Sequence, residues 1–124
     1  MNNTEKAKQY ETRELLEGMK KFLDYDPQSG NIVFTDNRFG AKKIGQIAGY
    51  TDRGYVRLYH RGRQFMAHRV AWALHQNKWP EHTIDHIDKN GTNNKWENLR
   101  DVTQAENNKN KGPYKKTRII GNAL

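Results

Sequence analysis

Asp85, His86 and Asp88 stand almost together in the stretch IDHIDKNGTNNKWENLRDVTQAENNKN (84–110). Seven asparagines follow them: Asn90, Asn93, Asn94, Asn98, Asn107, Asn108 and Asn110. Asparagine is a poor former of both helix and strand, so this density calls for turn chemistry, site chemistry or both. An imidazole, which ordinarily titrates near neutrality, suits a base that activates water. Oxygen donors suit Mg²⁺, which keeps several waters and needs only one or two protein groups. Asp85 beside His86, with Asn98 and Asn107 downstream, supplies the parts for hydrolysing a phosphodiester, a reaction that also needs a cation to stabilise the developing charge. Neighbours on a regular strand point to opposite faces. Asp85 and His86 can therefore share a site only where the strand ends or bends, which the turn-forming DKNGTNN that follows makes possible.

A calcium loop is a second reading of the same residues. With Gly91 at the glycine position, Asp88, Asn90 and Glu97 fall where such a loop wants oxygen ligands. Its first ligand position, however, is His86, and strong flanking helices are missing. Asp88, Asn90, Asn93 and Asn94 read as turn formers through Asx hydrogen bonds. His68 serves either packing or a phosphate contact, His75 reads as a packing or surface residue, and Trp72, Trp79 and Trp96 read as core.

These residues must be positioned by elements that the pattern also suggests. TRELLEGMKKFL (12–23) puts Leu15, Leu16, Met19, Phe22 and Leu23 on one helical face, with Thr12 as a partial start signal. YDPQSG reads as a turn and NIVFT as a short strand. From 45 to 67 the pattern is β-like, with Arg61-Gly62 as a tight hairpin turn between YVRLYH and RQFMA. AHRVAWALHQ (67–76) is helical, ended by Trp79-Pro80. HTIDHI and ENLRDVT are strands flanking the Asn-rich loop, and QAENNKNK after Thr103 is a short helix. The expected fold is α+β, a small single domain of short antiparallel strands. Its parts are residues 1–80 (N-terminal helix, basic β-rich region and connecting helix), 81–112 (the reactive cluster) and 113–124 (a basic tail).

The chain has 124 residues, 34% of them hydrophobic, which allows one compact domain with a modest core. With 22 Lys and Arg against 14 Asp and Glu, the net charge is +8 and the pI about 9.8. That excess points to a polyanion, nucleic acid before membrane, since no basic amphipathic helix with a clean apolar face is evident. Between residues 37 and 70 there are eight basic residues and one acid, Asp52; after Glu106 there are five basic residues and no acid. Two basic blocks thus flank the reactive cluster, as suits a surface that tracks a nucleic-acid backbone. Lys42, Lys43, Arg57, Arg61, Arg63 and Arg69, with His68, are the expected contacts to double-stranded DNA. Cysteine is absent, so any metal must be held by oxygen or imidazole. Without a signal peptide or a membrane-spanning run, a cytoplasmic location is expected.

The stretch 84–110 resembles the HNH endonucleases of the phage and homing-type branch, the ββα-metal nucleases. The likeness rests on Asp-His, the Asn-rich loop, Asn-Leu twelve residues after the His, Val-Thr, and Glu-Asn then Asn. YDPQSGNIVF, AGYTDRGYVRL and AHRVAWALHQNKWP resemble the portion that often precedes this motif in phage proteins. The resemblance implies a ββα unit made of a hairpin packed on a helix near 104–111. It implies Asp85 as a ligand of one divalent cation, Mg²⁺ or Mn²⁺, one ion per site, and His86 as general base. Asn98 would hydrogen-bond the His86 ring, and Asn107 would be the second metal ligand. The family name expects a histidine at this last place; the asparagine favours a hard ion. Only about a dozen residues follow Lys111, so target choice is expected to fall to the upstream β region or to be weak. A monomer would nick and a homodimer could cut both strands. The alternative is a DNA-binding protein that keeps this fold without the activity.

Overall fold

The computed structural model describes residues 3–36, 43–103 and 105–106. Its order is α1 (Asn3–Lys8), α2 (Arg13–Lys20), β1 (Leu23–Tyr25), β2 (Ile32–Phe34), β3 (Tyr50–Asp52), β4 (Tyr55–His60), β5 (Arg63–Met66), α3 (Ala67–Gln76), β6 (Thr83–His86) and β7 (Leu99–Val102). A 3-10 turn, Trp96–Asn98, precedes β7. The strands form three antiparallel sheets, β1-β2, β3-β4-β5 and β6-β7, so the fold is α+β with short antiparallel strands, as expected.

Local chemistry explains the boundaries. Thr12 caps α2 by accepting the Leu15 N–H at 3.1 Å. The helix stops after Lys20, earlier than its apolar pattern suggests, because Leu23 leaves it to open β1, a strand that the turn reading of YDPQSG overlooked. Arg53-Gly54 and Arg61-Gly62 are both two-residue hairpin loops with positive φ at both positions, the combination whose twist matches that of the flanking strands. Each turn therefore carries an arginine at its tip. Asn77, left-handed at φ 62°, ends α3 before Trp79-Pro80 is reached, and its side-chain oxygen accepts Lys20 Nζ at 2.6 Å.

The core gathers around α3. Ala67, Val70 and Ala71 of this helix meet Met19 of α2, Leu23 and Ile32 of the first hairpin, Leu58 and Phe65 of the three-stranded sheet, and Ile84 and Leu99 of the last hairpin. Trp72, Trp79 and Trp96 are half-buried around that centre, and Trp79 Nε1 donates to the Thr12 carbonyl at 2.7 Å.

Arg69 is the main departure from the expected DNA contacts. It is 5% exposed and its guanidinium is fully engaged. It takes both oxygens of buried Glu11, at 2.5 and 2.9 Å, and donates to the carbonyls of His82 at 2.7 Å and Pro80 at 3.3 Å. Arg69 thus fastens the segment before α2 and the segment before β6 to α3, and no surface remains for a phosphate.

Candidate active site

β6 and β7 pair with Ile84 opposite Asp101, Asp85 opposite Arg100 and His86 opposite Leu99. His86 is the last residue of β6, so the strand ends at the position the sequence required. Residues 87–98 cross back to β7 through a chain of Asx bonds: Asn90 N–H to Asp88 Oδ1 at 2.8 Å, Thr92 N–H to Asn90 Oδ1 at 3.0 Å and Lys95 N–H to Asn93 Oδ1 at 3.3 Å. Asp88 also accepts Asn93 Nδ2 at 2.8 Å and Asn98 Nδ2 at 2.9 Å. Partial burial works to raise the Asp88 pKa, but the N–H donors of Asn93, Asn90 and Asn98 outweigh it, and the carboxyl sits below its ordinary range. With its oxygens so used, Asp88 is a loop organiser rather than a calcium ligand.

The expected bond from Asn98 to the His86 ring is not made. Asn98 lies in the 3-10 turn, not on the strand. Its amide holds the loop together, with Oδ1 accepting the Asp88 N–H at 2.9 Å and Nδ2 reaching Asp88 Oδ1 and the Asn93 carbonyl. The ring's partner is Asn94, one of the residues read as a turn former, whose Oδ1 is 2.8 Å from His86 Nε2. An amide oxygen only accepts, so this contact assigns the proton to Nε2 and leaves the lone pair on Nδ1. Asn94 is held in turn by the first hairpin. Its carbonyl accepts the buried Tyr25 hydroxyl at 2.5 Å, and the Trp96 N–H beyond it donates to the Pro27 carbonyl at 3.0 Å. Gly30, at φ 82°, passes so close to Asn94 and Lys95 that a side chain there would strike their backbone. Burial, and then neighbouring Asp26, raise the pKa of that hydroxyl, which stays protonated.

Two rings complete the walls around His86. His68, the second residue of α3, packs edge-on with centroids 5.1 Å apart, and Tyr55 lies at 6.0 Å. His68 is 8% exposed and its Nδ1 is buried without a partner among the described residues. Burial first, then His86, Arg69 and Arg57, push its pKa down to about 3, so it is neutral. The expected phosphate contact at His68 is thereby corrected: the ring supports His86 from inside the fold.

Asp85, the neighbour of His86 on β6, is also buried. Arg100 Nη2 meets its Oδ2 at 2.5 Å, and Lys89 Nζ lies 3.6 Å from its Oδ1. Neither cation stands out in the sequence, because the pairing with Arg100 exists only once the hairpin register is known. Among the described residues no group of three His, Asp or Glu converges as a metal cage. Asp85 supplies a hard anionic oxygen fit for a divalent ion; Asn107, its expected co-ligand, lies outside the described residues. Thr103 and Glu106 exchange bonds of 2.9 and 3.1 Å as a capping box, the start signal of a helix at Ala105–Glu106.

Of the expected DNA contacts, Lys42 lies outside the described residues. Lys43 and Arg61 are exposed, Arg61 at a hairpin tip. Arg57 is paired with Asp52 at 3.1 Å, and the exposed Arg63 lies over the Tyr10 ring at 3.5 Å. The outer face of the three-stranded sheet also presents stacked Tyr50 and Tyr59. The loop 87–98 docks on this sheet at Gly91. A Cβ built there would lie 2.3 Å from the Gly54 carbonyl and 2.6 Å from the Tyr55 ring.

Residues 65–109 match the model of a family described as HNH endonuclease, a segment that includes α3, His68, Asp85, His86 and the loop between the last two strands. Over that segment the chain is similar to the HNH endonucleases. Among solved structures, the chain is similar to one described as "DNA binding and cleavage by the HNH homing endonuclease I-HmuI", at 26% identity and a TM-score of 0.57. The match covers 77% of this chain and 55% of that one, so the chain spans little more than half the length of its solved neighbour. No curated protein gives a match.

Proposed function

We propose that this chain is a divalent-metal-dependent DNA endonuclease that hydrolyses phosphodiester bonds. The observation that carries this reading is the fixed tautomer of His86. Its Nε2 proton is held by Asn94, one residue from a buried carboxylate that already draws cations. Nδ1 then takes a proton from water as the water oxygen attacks phosphorus. The bond from phosphorus to the 3′ oxygen breaks in line, the leaving oxygen gains a proton from solvent, and 5′-phosphate and 3′-hydroxyl ends result. Asp85 and Asn107 would hold the ion, Mg²⁺ or Mn²⁺. Such an ion supplies Lewis-acid stabilisation of charge on the phosphate and leaving oxygen.

We take double-stranded DNA as the substrate, and the net charge of +8 supports a polyanionic partner. Lys43, Arg61 and the other exposed cations of the β-rich region would meet phosphates, which positions the duplex without reading its sequence. The solved neighbour, by its own description, binds and cleaves DNA.

The test is relaxation of supercoiled plasmid with Mg²⁺, with EDTA, and with Mg²⁺ and the His86→Ala variant. Open-circle or linear product from the wild type, lost in both controls, is expected; the form of the product reports one-strand or two-strand cutting. Binding without cleavage in either Mg²⁺ or Mn²⁺ would overturn the enzymatic reading and leave a DNA-binding protein on this fold.

A further inference from the structure

We propose that Arg100 is a resident counter-cation on Asp85 that moves to the DNA phosphate when a divalent ion binds, so that metal and DNA reinforce each other's binding. This rests on Asp85 being the metal ligand.

Three observations carry it. First, Asp85 and Arg100 are a cross-strand pair on one face of the β6-β7 hairpin, so their contact is built into the register. Second, the contact is incomplete. One guanidinium nitrogen meets one carboxylate oxygen at 2.5 Å, while Arg100 Nε is buried without a partner among the described residues. A guanidinium can take a carboxylate with two parallel bonds, and this one does not. Third, exposure is lopsided: the Asp85 side chain is 7% exposed, Arg100 42% and Lys89 51%. The carboxylate is fixed inside, whereas its cations reach it from solvent and can withdraw there.

A buried carboxylate without a counter-charge is costly, so Asp85 needs a cation whether or not a metal is bound. A divalent ion meets that need with twice the charge of one guanidinium, and it repels a guanidinium placed at the same oxygen. Arg100 must then leave. The planar fork that was half used on Asp85 becomes free beside the site, and it matches the oxygens of a phosphate. Coupling of this kind is reciprocal: whatever releases Arg100 strengthens DNA binding, and DNA that captures Arg100 strengthens metal binding.

The experiment is Mn²⁺ titration of the full chain without DNA, by calorimetry, for the wild type, Arg100→Gln and Arg100→Lys. Arg100→Gln is expected to bind Mn²⁺ roughly 5-fold more tightly, the low end of ordinary coupling between sites. Arg100→Lys, which keeps the charge, should stay within about 2-fold of the wild type, the range of an exposed ion pair. In a His86→Ala background, which prevents cleavage, Mn²⁺ should raise duplex affinity, and adding Arg100→Gln should make that rise smaller. Equal or weaker Mn²⁺ binding by Arg100→Gln overturns the proposal alone, as does tightening by Arg100→Lys or a rise that Arg100→Gln leaves undiminished. If no form binds Mn²⁺, the metal site itself is refuted and the proposal falls with it.

Discussion

Asn94 and Asn98 carry the same amide four residues apart, yet their substitutions should fail in different ways. Asn94→Ala removes the acceptor that keeps the proton on His86 Nε2. The expected loss is in plasmid relaxation, roughly 100-fold, with a mixed tautomer visible in the ¹⁵N spectrum of the His86 ring. Asn98→Ala removes three hydrogen bonds and leaves the Asp88 N–H and the Asn93 carbonyl to find new partners. That loss is in stability, about 2–3 kcal/mol by urea denaturation. The sequence made the types of the reactive residues plain, because few other chemistries want Asp-His followed by oxygen donors. It did not make plain which amide serves the ring. Every asparagine in the loop is a credible turn former, and the choice between Asn94 and Asn98 is made by Tyr25 and Pro27, some seventy residues upstream.

At the scale of elements, hairpins and helices were legible wherever short-range rules decide them. Arg61-Gly62, the apolar stripe of α3 and the paired strands around the Asn-rich loop are all local features. What escaped were consequences of contact between elements. Arg69 reads as one more surface arginine until Glu11 and the carbonyls of Pro80 and His82 are seen to enclose it. Glu11→Gln leaves that guanidinium buried and underpaired, so it should cost about 3 kcal/mol or more in a chemical melt. Gly91→Ala tests another such contact. The added methyl meets the Gly54 carbonyl and the Tyr55 ring, neither of which can yield cheaply. The expected cost is about 1–3 kcal/mol, with loosening of the loop reported by faster hydrogen exchange at Asn90–Asn93.

For the whole molecule, buried histidine sets the response to acid. His68 is neutral when folded, with its pKa pushed down to about 3, whereas unfolding returns it to its ordinary value of 6.5. Between those limits the unfolded chain holds the extra proton. Stability is therefore intact above pH 6.5 and falls as pH drops below it, at about 1.4 kcal/mol per pH unit for such a group. His60, lowered by burial and by Arg61, adds in the same direction. Urea midpoints taken from pH 7.5 down to 5 should show this slope, and His68→Gln should remove the share due to that ring. Because Gly91 seats the reactive loop on the β3–β4 turn and Tyr55 lies against the His86 ring, the sheet that would grip the duplex is packed directly on the imidazole that would cut it. On the proposed reading, then, every cut falls at a constant number of base pairs from the stretch of duplex that the sheet protects.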